Sequence, residues 1–187
     1  KYNGRKTKEL LYGSDEESPC VLQLFGSCAD DIECGAEIAL GIREFAAVEI
    51  NMACPMPKVT KKGSGSALMK KPEEAEAIIR TLKKFGLPVW AKVRIIGGSS
   101  ERSEEFCERL FENGADFIFV HGRTPEQRYE GSASRYAVEK IAQTFPGKIG
   151  GSGDCYTAED FRDYLNRGCA SVLAARGVLR DAFLIPK

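Results

Sequence analysis

The chain has 187 residues, 43% of them hydrophobic and 29% charged, with 27 Lys plus Arg balanced by 27 Asp plus Glu. That length supports one domain with a substantial core, and a net charge of zero excludes whole-molecule attraction as the means of holding a polyanion, so such a partner must meet a local patch. Seven cysteines without a CxxC pair, and a single histidine, suit reduced thiols in a reducing compartment and disfavour a disulfide framework or a zinc centre.

Apolar, β-rich segments alternate with amphipathic stretches along the chain. A strand is expected at 20–25, then a helical pattern over 31–45. The second strand, 47–52, opens onto the longest excursion, which ends at Pro72, a residue suited to a first helical position. The helix 72–85 leads to a strand at 88–95, the helix 101–113 to a strand at 116–121, and the helix 135–145 to a strand at 147–151. Thr157 and Asp160 form a capping-box pattern at the start of the helix 157–167, and the last strand is expected at 170–175. Gly86, Gly114 and Gly168 stand where helix C-caps belong. Strand starts spaced 23 to 41 residues apart read as repeated βα units and a parallel sheet.

Polar residues within the strands choose between an open sheet and a barrel. Period two places Val21, Gln23 and Phe25 on one face, as it does Glu49 with Asn51, Trp90 with Lys92 and Arg94, and Phe117 with Phe119 and His121. The opposite faces are apolar: Val48, Ile50 and Met52, and Val89, Ala91 and Val93. A doubly wound sheet buries both faces under helices and should be apolar on both. Pairing of Glu49 with Lys92 or Arg94 in a core accounts for some of the polar set, but not for six such residues at matched depth. A (β/α)8 TIM barrel with its site at the C-terminal rim accounts for all of them. Six of the eight βα units are counted, in one partial-barrel catalytic domain spanning 1–187. Either two further strands are expected upstream of Lys1, or other ordered parts have been lost. No signal-peptide pattern opens the chain and no run approaches the roughly 20 apolar residues of a membrane span, so a cytoplasmic fragment without a membrane or metal partner is expected. Its oligomeric state is left open.

Cys54 lies at the mouth of the second strand, before Pro55. A free cysteine, with pKa about 8.5, is mostly a thiol at neutral pH. No histidine is near in sequence, so a general acid is favoured over a nucleophile. A lone cysteine is more often a small buried hydrophobe; its place at a strand mouth before a rim loop argues otherwise. Lys58, Lys61, Lys62, Lys70 and Lys71 follow with no acidic residue among them, which is either a solvated charge run or a polyanion patch. Glycine turns end the last two strands, at Gly151-Ser152-Gly153-Asp154 and at Ala175-Arg176-Gly177. Loops in that position often bind phosphate in barrels, and Arg176 offers a fork suited to it. Lys92 at mid-strand depth could stabilise an anionic ring system. The lack of GxGxxG disfavours a Rossmann site.

The pieces Val21-Leu22-Gln23-Leu24-Phe25-Gly26-Ser27, the segment from Asn51 to Leu68, Ala91-Lys92-Val93-Arg94, His121-Gly122-Arg123-Thr124 with Gln127 and Tyr129, Ser152-Gly153-Asp154, and Ala175-Arg176-Gly177 resemble the tRNA-dihydrouridine synthases, FMN-dependent (β/α)8-barrel enzymes. They occur in that family's order over nearly the whole chain, and the segment from Asn51 is the most specific. The resemblance implies that Cys54 protonates C5 of a uracil while FMN delivers hydride to C6. It implies flavin-ring contacts for Gln23 and Lys92, and a ribityl-phosphate site formed by His121, Ser152, Gly153, Asp154, Ala175 and Arg176. Asn51 would help hold the extruded base; Arg123, Lys58, Lys61 and Lys62 would meet tRNA; NADPH would be the reductant. The family usually has Asn where this chain has Ser152. The family's first strand and C-terminal helical domain have no counterpart here, and FMN retention is expected to be weak. The alternatives are an FMN barrel acting on a free pyrimidine, as in dihydroorotate dehydrogenase, a non-catalytic RNA-binding fragment, and a phosphate-binding barrel without redox chemistry.

Overall fold

The computed structural model describes residues 9, 11–97 and 100–185, so the expected domain 1–187 extends past them at both ends. Six strands form one parallel sheet in chain order: β1 (Val21–Leu24), β2 (Ala47–Asn51), β3 (Val89–Arg94), β4 (Phe117–His121), β5 (Ile149–Ser152) and β6 (Ser171–Leu173). The main connecting helices are α1 (Ala29–Leu40), α2 (Pro72–Lys83), α3 (Ser100–Glu112), α4 (Arg135–Thr144) and α5 (Ala158–Asn166), and a short α6 (Arg176–Arg180) follows β6. The chain forms a partial (β/α)8 barrel. Among the described residues no helix is long and apolar enough to cross a membrane.

Local signals set the helix ends. Pro72 opens α2, with Glu73 and Glu74 in its first turn and Arg80 and Lys83 in its last, which complements the helix dipole. At α5 the capping box is complete: the Asp160 amide donates to Thr157 Oγ1 at 3.2 Å and the Thr157 amide to Asp160 Oδ2 at 2.9 Å. The fifth strand begins two residues later than the 147–151 pattern suggests, because Gly147 sits at φ +78° and turns the chain. The strand then runs on through Ser152.

The two faces of the sheet do different work. Val48, Ile50, Met52, Val89, Ala91, Val93, Ile118, Val120 and Ile149 are buried with Ile78, Ile79, Leu82, Leu110, Val138 and Ile141 of the helices in one apolar core. On the inner face the register stacks residues in layers. Glu49 is level with Trp90 and Trp90 with Phe117; Asn51 with Lys92, Lys92 with Phe119, and Phe119 with Gly150; Arg94 with His121, and His121 with Ser152. Trp90, Phe117 and Phe119 pack at centroid distances of 5.1 to 5.9 Å and fill the interior from the Glu49 layer up to the Lys92 layer, beneath Arg94 and His121. The Gly150-Gly151 pair fits between two rings: a Cβ would meet Phe119 at 2.4 Å from Gly150 and Tyr164 at 2.2 Å from Gly151. Only glycines let β5 pass between those aromatics. The short, glycine-rich fifth strand thus has a packing cause.

Candidate active site

A cavity of about 350 Å³ opens at the C-terminal ends of β2 to β6. Asn51, Cys54, Lys92, Arg94, His121, Ser152 and Arg176 all reach it. Lys92 reaches it from inside β3, and the others arrive from strand ends or the segments just beyond them, as a parallel barrel dictates.

Cys54 sits on a turn that Asn51 holds. The Asn51 side-chain oxygen accepts the amides of Ala53 and Cys54, both at 3.0 Å, and its Nδ2 donates to Gln23 Oε1 at 3.0 Å. The carbonyl of Cys54 accepts the Ser66 amide at 2.9 Å, so the lysine-bearing loop folds back onto the cysteine. Arg94, 2% exposed, donates from Nε to the Ala53 carbonyl at 2.6 Å, and from one terminal nitrogen to the carbonyls of Thr124 at 3.0 Å and Arg128 at 2.8 Å. One buried guanidinium therefore ties the turn before Cys54 to the loop after β4.

Below this turn lies a coupled acid and base. Burial raises the Glu49 carboxyl above its ordinary range, against the lowering pull of a Gln23 hydrogen bond and the Lys92 charge. Burial pushes Lys92 down to about 8; Glu49 resists that shift and the Arg94 charge adds to it. Lys92 is still cationic at neutral pH, and its Nζ donates to Ser152 Oγ at 3.3 Å. Burial, with the cations Arg94, Lys92 and Arg123, drives His121 down to about 3, so its imidazole is neutral. Arg123 stands 3.4 Å from its Nε2 and can only donate, which leaves the ring proton on Nδ1.

The turn after β5 places an acid between two arginines. Asp154, at φ +49°, accepts a bidentate pair from Arg123 at 2.9 and 2.8 Å, the Ala133 amide at 2.8 Å, and Arg176 at 3.1 Å. Burial works to raise its carboxyl, but the hydrogen bonds from Arg123 and Ala133, with the charges of Arg123 and Arg176, hold it below the usual range. Tyr164 donates to the carbonyls of Ser152 and Gly153 at 3.0 and 2.9 Å and fixes the turn from beneath.

Cys54, Asn51, Lys92, His121, Ser152, Gly153, Asp154, Ala175 and Arg176 are brought together around the cavity. Gln23 is not among its lining residues; it is exposed on β1, where its amide serves Glu49 and Asn51. Lys58, Lys61 and Lys62 are exposed on the loop that covers the Cys54 turn. The expectation that Arg123 meets RNA is corrected. Its guanidinium is buried, and Asp154, His121 and the carbonyls of Glu130 and Gly131 take all five donors, leaving none for a phosphate. Arg94, Tyr129 and Tyr156 are among the lining residues that had no assigned role in the sequence. Arg94, two residues beyond Lys92, shared the inward face and could have been found by that spacing. Tyr129 and Tyr156 lie on loops with no periodicity to mark them, and both stand within 6 Å of the Arg176 guanidinium.

The donor set suits an anionic, planar cofactor. Among the described residues Arg176 spends one hydrogen bond on Asp154 and keeps its other donors, and its side chain is 41% exposed at the cavity. Ser152 and, one layer below it, Lys92 present further polar hydrogens.

The family model described as "Dihydrouridine synthase (Dus)" matches residues 2–187. The chain is 35% identical over 184 residues to the probable tRNA-dihydrouridine synthase 1 of Synechocystis sp., covering 97% of this chain and 52% of that protein. It is 32% identical over 168 residues to the tRNA-dihydrouridine(16) synthase of Neisseria meningitidis serogroup B, covering 87% of this chain and 50% of that one. The chain thus spans about half the length of the curated relatives it matches. Among solved structures, a DHODH from Eimeria tenella in complex with ferulenol superposes with a TM-score of 0.59 at 16% identity, covering 81% of this chain and 49% of that one. A putative phosphonomutase from Burkholderia cenocepacia does so with a TM-score of 0.59 at 16% identity, covering 94% and 77%. At such identities these two attest the barrel fold alone.

Proposed function

The chain belongs to the dihydrouridine synthase family, and from that premise we propose that residues 1–187 form the catalytic domain of an FMN-dependent enzyme that reduces uridine in tRNA to dihydrouridine. NADPH is the proposed reductant. The observation that carries the reading is the meeting of Cys54, Lys92, His121 and Arg176 on one cavity, with a loop of exposed lysines hydrogen-bonded to the Cys54 turn through Ser66. FMN, when bound, supplies hydride for C6 of the uracil ring. Cys54 donates its thiol proton to C5, and the thiolate so formed recovers a proton from solvent. Lys92 holds positive charge against the flavin ring, with Gln23 as the outer ring contact. Arg176, the Ala175 and Gly153 backbone, Ser152 and neutral His121 hold the ribityl phosphate. Asp154 acts on that phosphate through Arg176, since its own carboxylate is already spent on the two arginines and the Ala133 amide.

Asn51 fixes the turn that aims Cys54 and keeps one amide hydrogen for the base. Lys58, Lys61 and Lys62 meet the RNA backbone while the target nucleotide leaves its stack to enter the cavity. The lysine loop distinguishes this reading from an FMN barrel acting on a free pyrimidine, which has no use for such exposed cations. The test is incubation of the protein with FMN, NADPH and unmodified tRNA, with nucleoside mass spectrometry as readout. Dihydrouridine in the tRNA and none from free uridine is expected. Turnover of the free nucleoside, or no flavin uptake, overturns the reading.

A further inference from the structure

Taking as given the role of Cys54 proposed above, we propose that Gly65 is a positioning residue whose missing side chain lets the loop clamp the backbone of Cys54. Each backbone polar group around the cysteine is held by a different part of the chain. Asn51 accepts its amide at 3.0 Å, the Ser66 amide donates to its carbonyl at 2.9 Å, and Arg94 grips the preceding carbonyl at 2.6 Å. The contact from the loop leaves no room for a side chain. Gly65 adopts φ +62°, and a Cβ there would lie 2.6 Å from the Cys54 carbonyl oxygen, 3.0 Å from Val59 Cγ1 and 3.1 Å from Cys54 Cβ. No side chain fits without pushing the cysteine or releasing the Ser66 hydrogen bond.

The loop therefore has two faces. Lys58, Lys61 and Lys62 point to solvent, whereas Ser64, Gly65, Ser66, Leu68 and Met69 are buried and root the segment in the core. Gly63 supplies an internal control. It too is left-handed, at φ +79°, but an added Cβ meets only Ser27 Cβ, at 3.3 Å. Alanine at either glycine imposes the same kind of backbone strain; only at Gly65 does it also press on Cys54.

The test compares Gly65→Ala, Gly65→Asn, Gly63→Ala and Gly63→Asn, since asparagine tolerates the left-handed region and relieves strain while retaining the Cβ. Two readouts are taken: kcat and KM on tRNA, and the rate at which iodoacetamide alkylates Cys54, resolved from the other cysteines by peptide mass spectrometry. Misplacing a reacting group by about 1 Å costs roughly 100-fold, so both Gly65 variants should lose about 10- to 100-fold in kcat at near-constant KM and change the Cys54 alkylation rate. Both Gly63 variants should keep the parental kcat and alkylation rate. Equal effects at the two glycines, or Gly65 variants that alkylate and turn over like the parent, overturn the proposal. Failure of both Gly65 variants to fold while the Gly63 variants fold assigns the glycine to stability alone and also overturns it. If the parent itself reduces no uridine, the functional reading fails, and the alkylation contrast still decides whether Gly65 places the thiol.

Discussion

Replacing Asp154 by Asn tests whether the turn after β5 is held by charge. Asparagine has nearly the same shape and tolerates φ +49°, so the substitution keeps the turn's backbone conformation while it removes the charge and turns one acceptor oxygen into an NH2 that faces N–H donors. The Arg123 side chain is 3% exposed and that of Asp154 is 23% exposed. Removing one partner of a fully buried pair costs about 3–5 kcal/mol because the other charge is stranded; the partial exposure of Asp154 reduces this to about 2–3 kcal/mol. For a chain of this size each kcal/mol moves Tm by roughly 2–4 °C, so D154N should melt about 4–12 °C lower in a thermal scan. Arg123→Met removes the other charge, and in a double-mutant cycle the combined variant should recover about 1–2 kcal/mol relative to the sum of the singles.

The acid limb gives an independent check. The folded carboxyl of Asp154 titrates below its unfolded value, so its contribution is complete above the unfolded pKa and disappears as pH falls through the folded one. The parent should therefore lose part of its advantage over D154N on acidification. A Tm for D154N within 1 °C of the parent, together with no coupling to Arg123, would refute the reasoning.

Cys54→Ala should leave FMN affinity unchanged and lower dihydrouridine formation about 10²–10⁴-fold; single-turnover reduction at the parental rate would remove the cysteine from proton transfer. Arg176→Ala should weaken FMN binding, read by flavin fluorescence titration, with the fold intact and a smaller fall in Tm than D154N shows. Because Lys92 titrates near 8, FMN affinity should fall as pH rises through 8, and in Lys92→Arg that step should vanish. The stability effect has the opposite sign: the unfolded lysine keeps its proton to about 10.4, so between these values the unfolded chain binds more protons and stability rises with pH. Replacing Lys58, Lys61 and Lys62 together by Ala should raise KM for tRNA at constant kcat and flatten the log–log salt dependence by roughly 2–3.

Periodicity made the scaffold legible, because burying the outer face of a parallel sheet demands unbroken apolar positions in Val48, Ile50 and Met52 and in Val89, Ala91 and Val93. Alternation in the same strands put Glu49, Asn51, Lys92 and Arg94 on the other face, as it did His121 in the next strand, and that sufficed to infer a barrel with a polar mouth. Strand-end position likewise marked Cys54 and Arg176. Partner choice was not legible. Arg123 stands in the same motif as His121 and reads as a free cation, yet the return of the chain at Asp154 and at the Glu130 and Gly131 carbonyls consumes it. Gln23 alternates inward as expected, but spends its amide on Glu49 and Asn51. Spacing along a strand is fixed by covalent geometry and survives in one dimension. Which donor meets which acceptor across loops that are distant in sequence, and whether a glycine such as Gly65 must yield to a neighbouring carbonyl, is decided only when the elements close on one another.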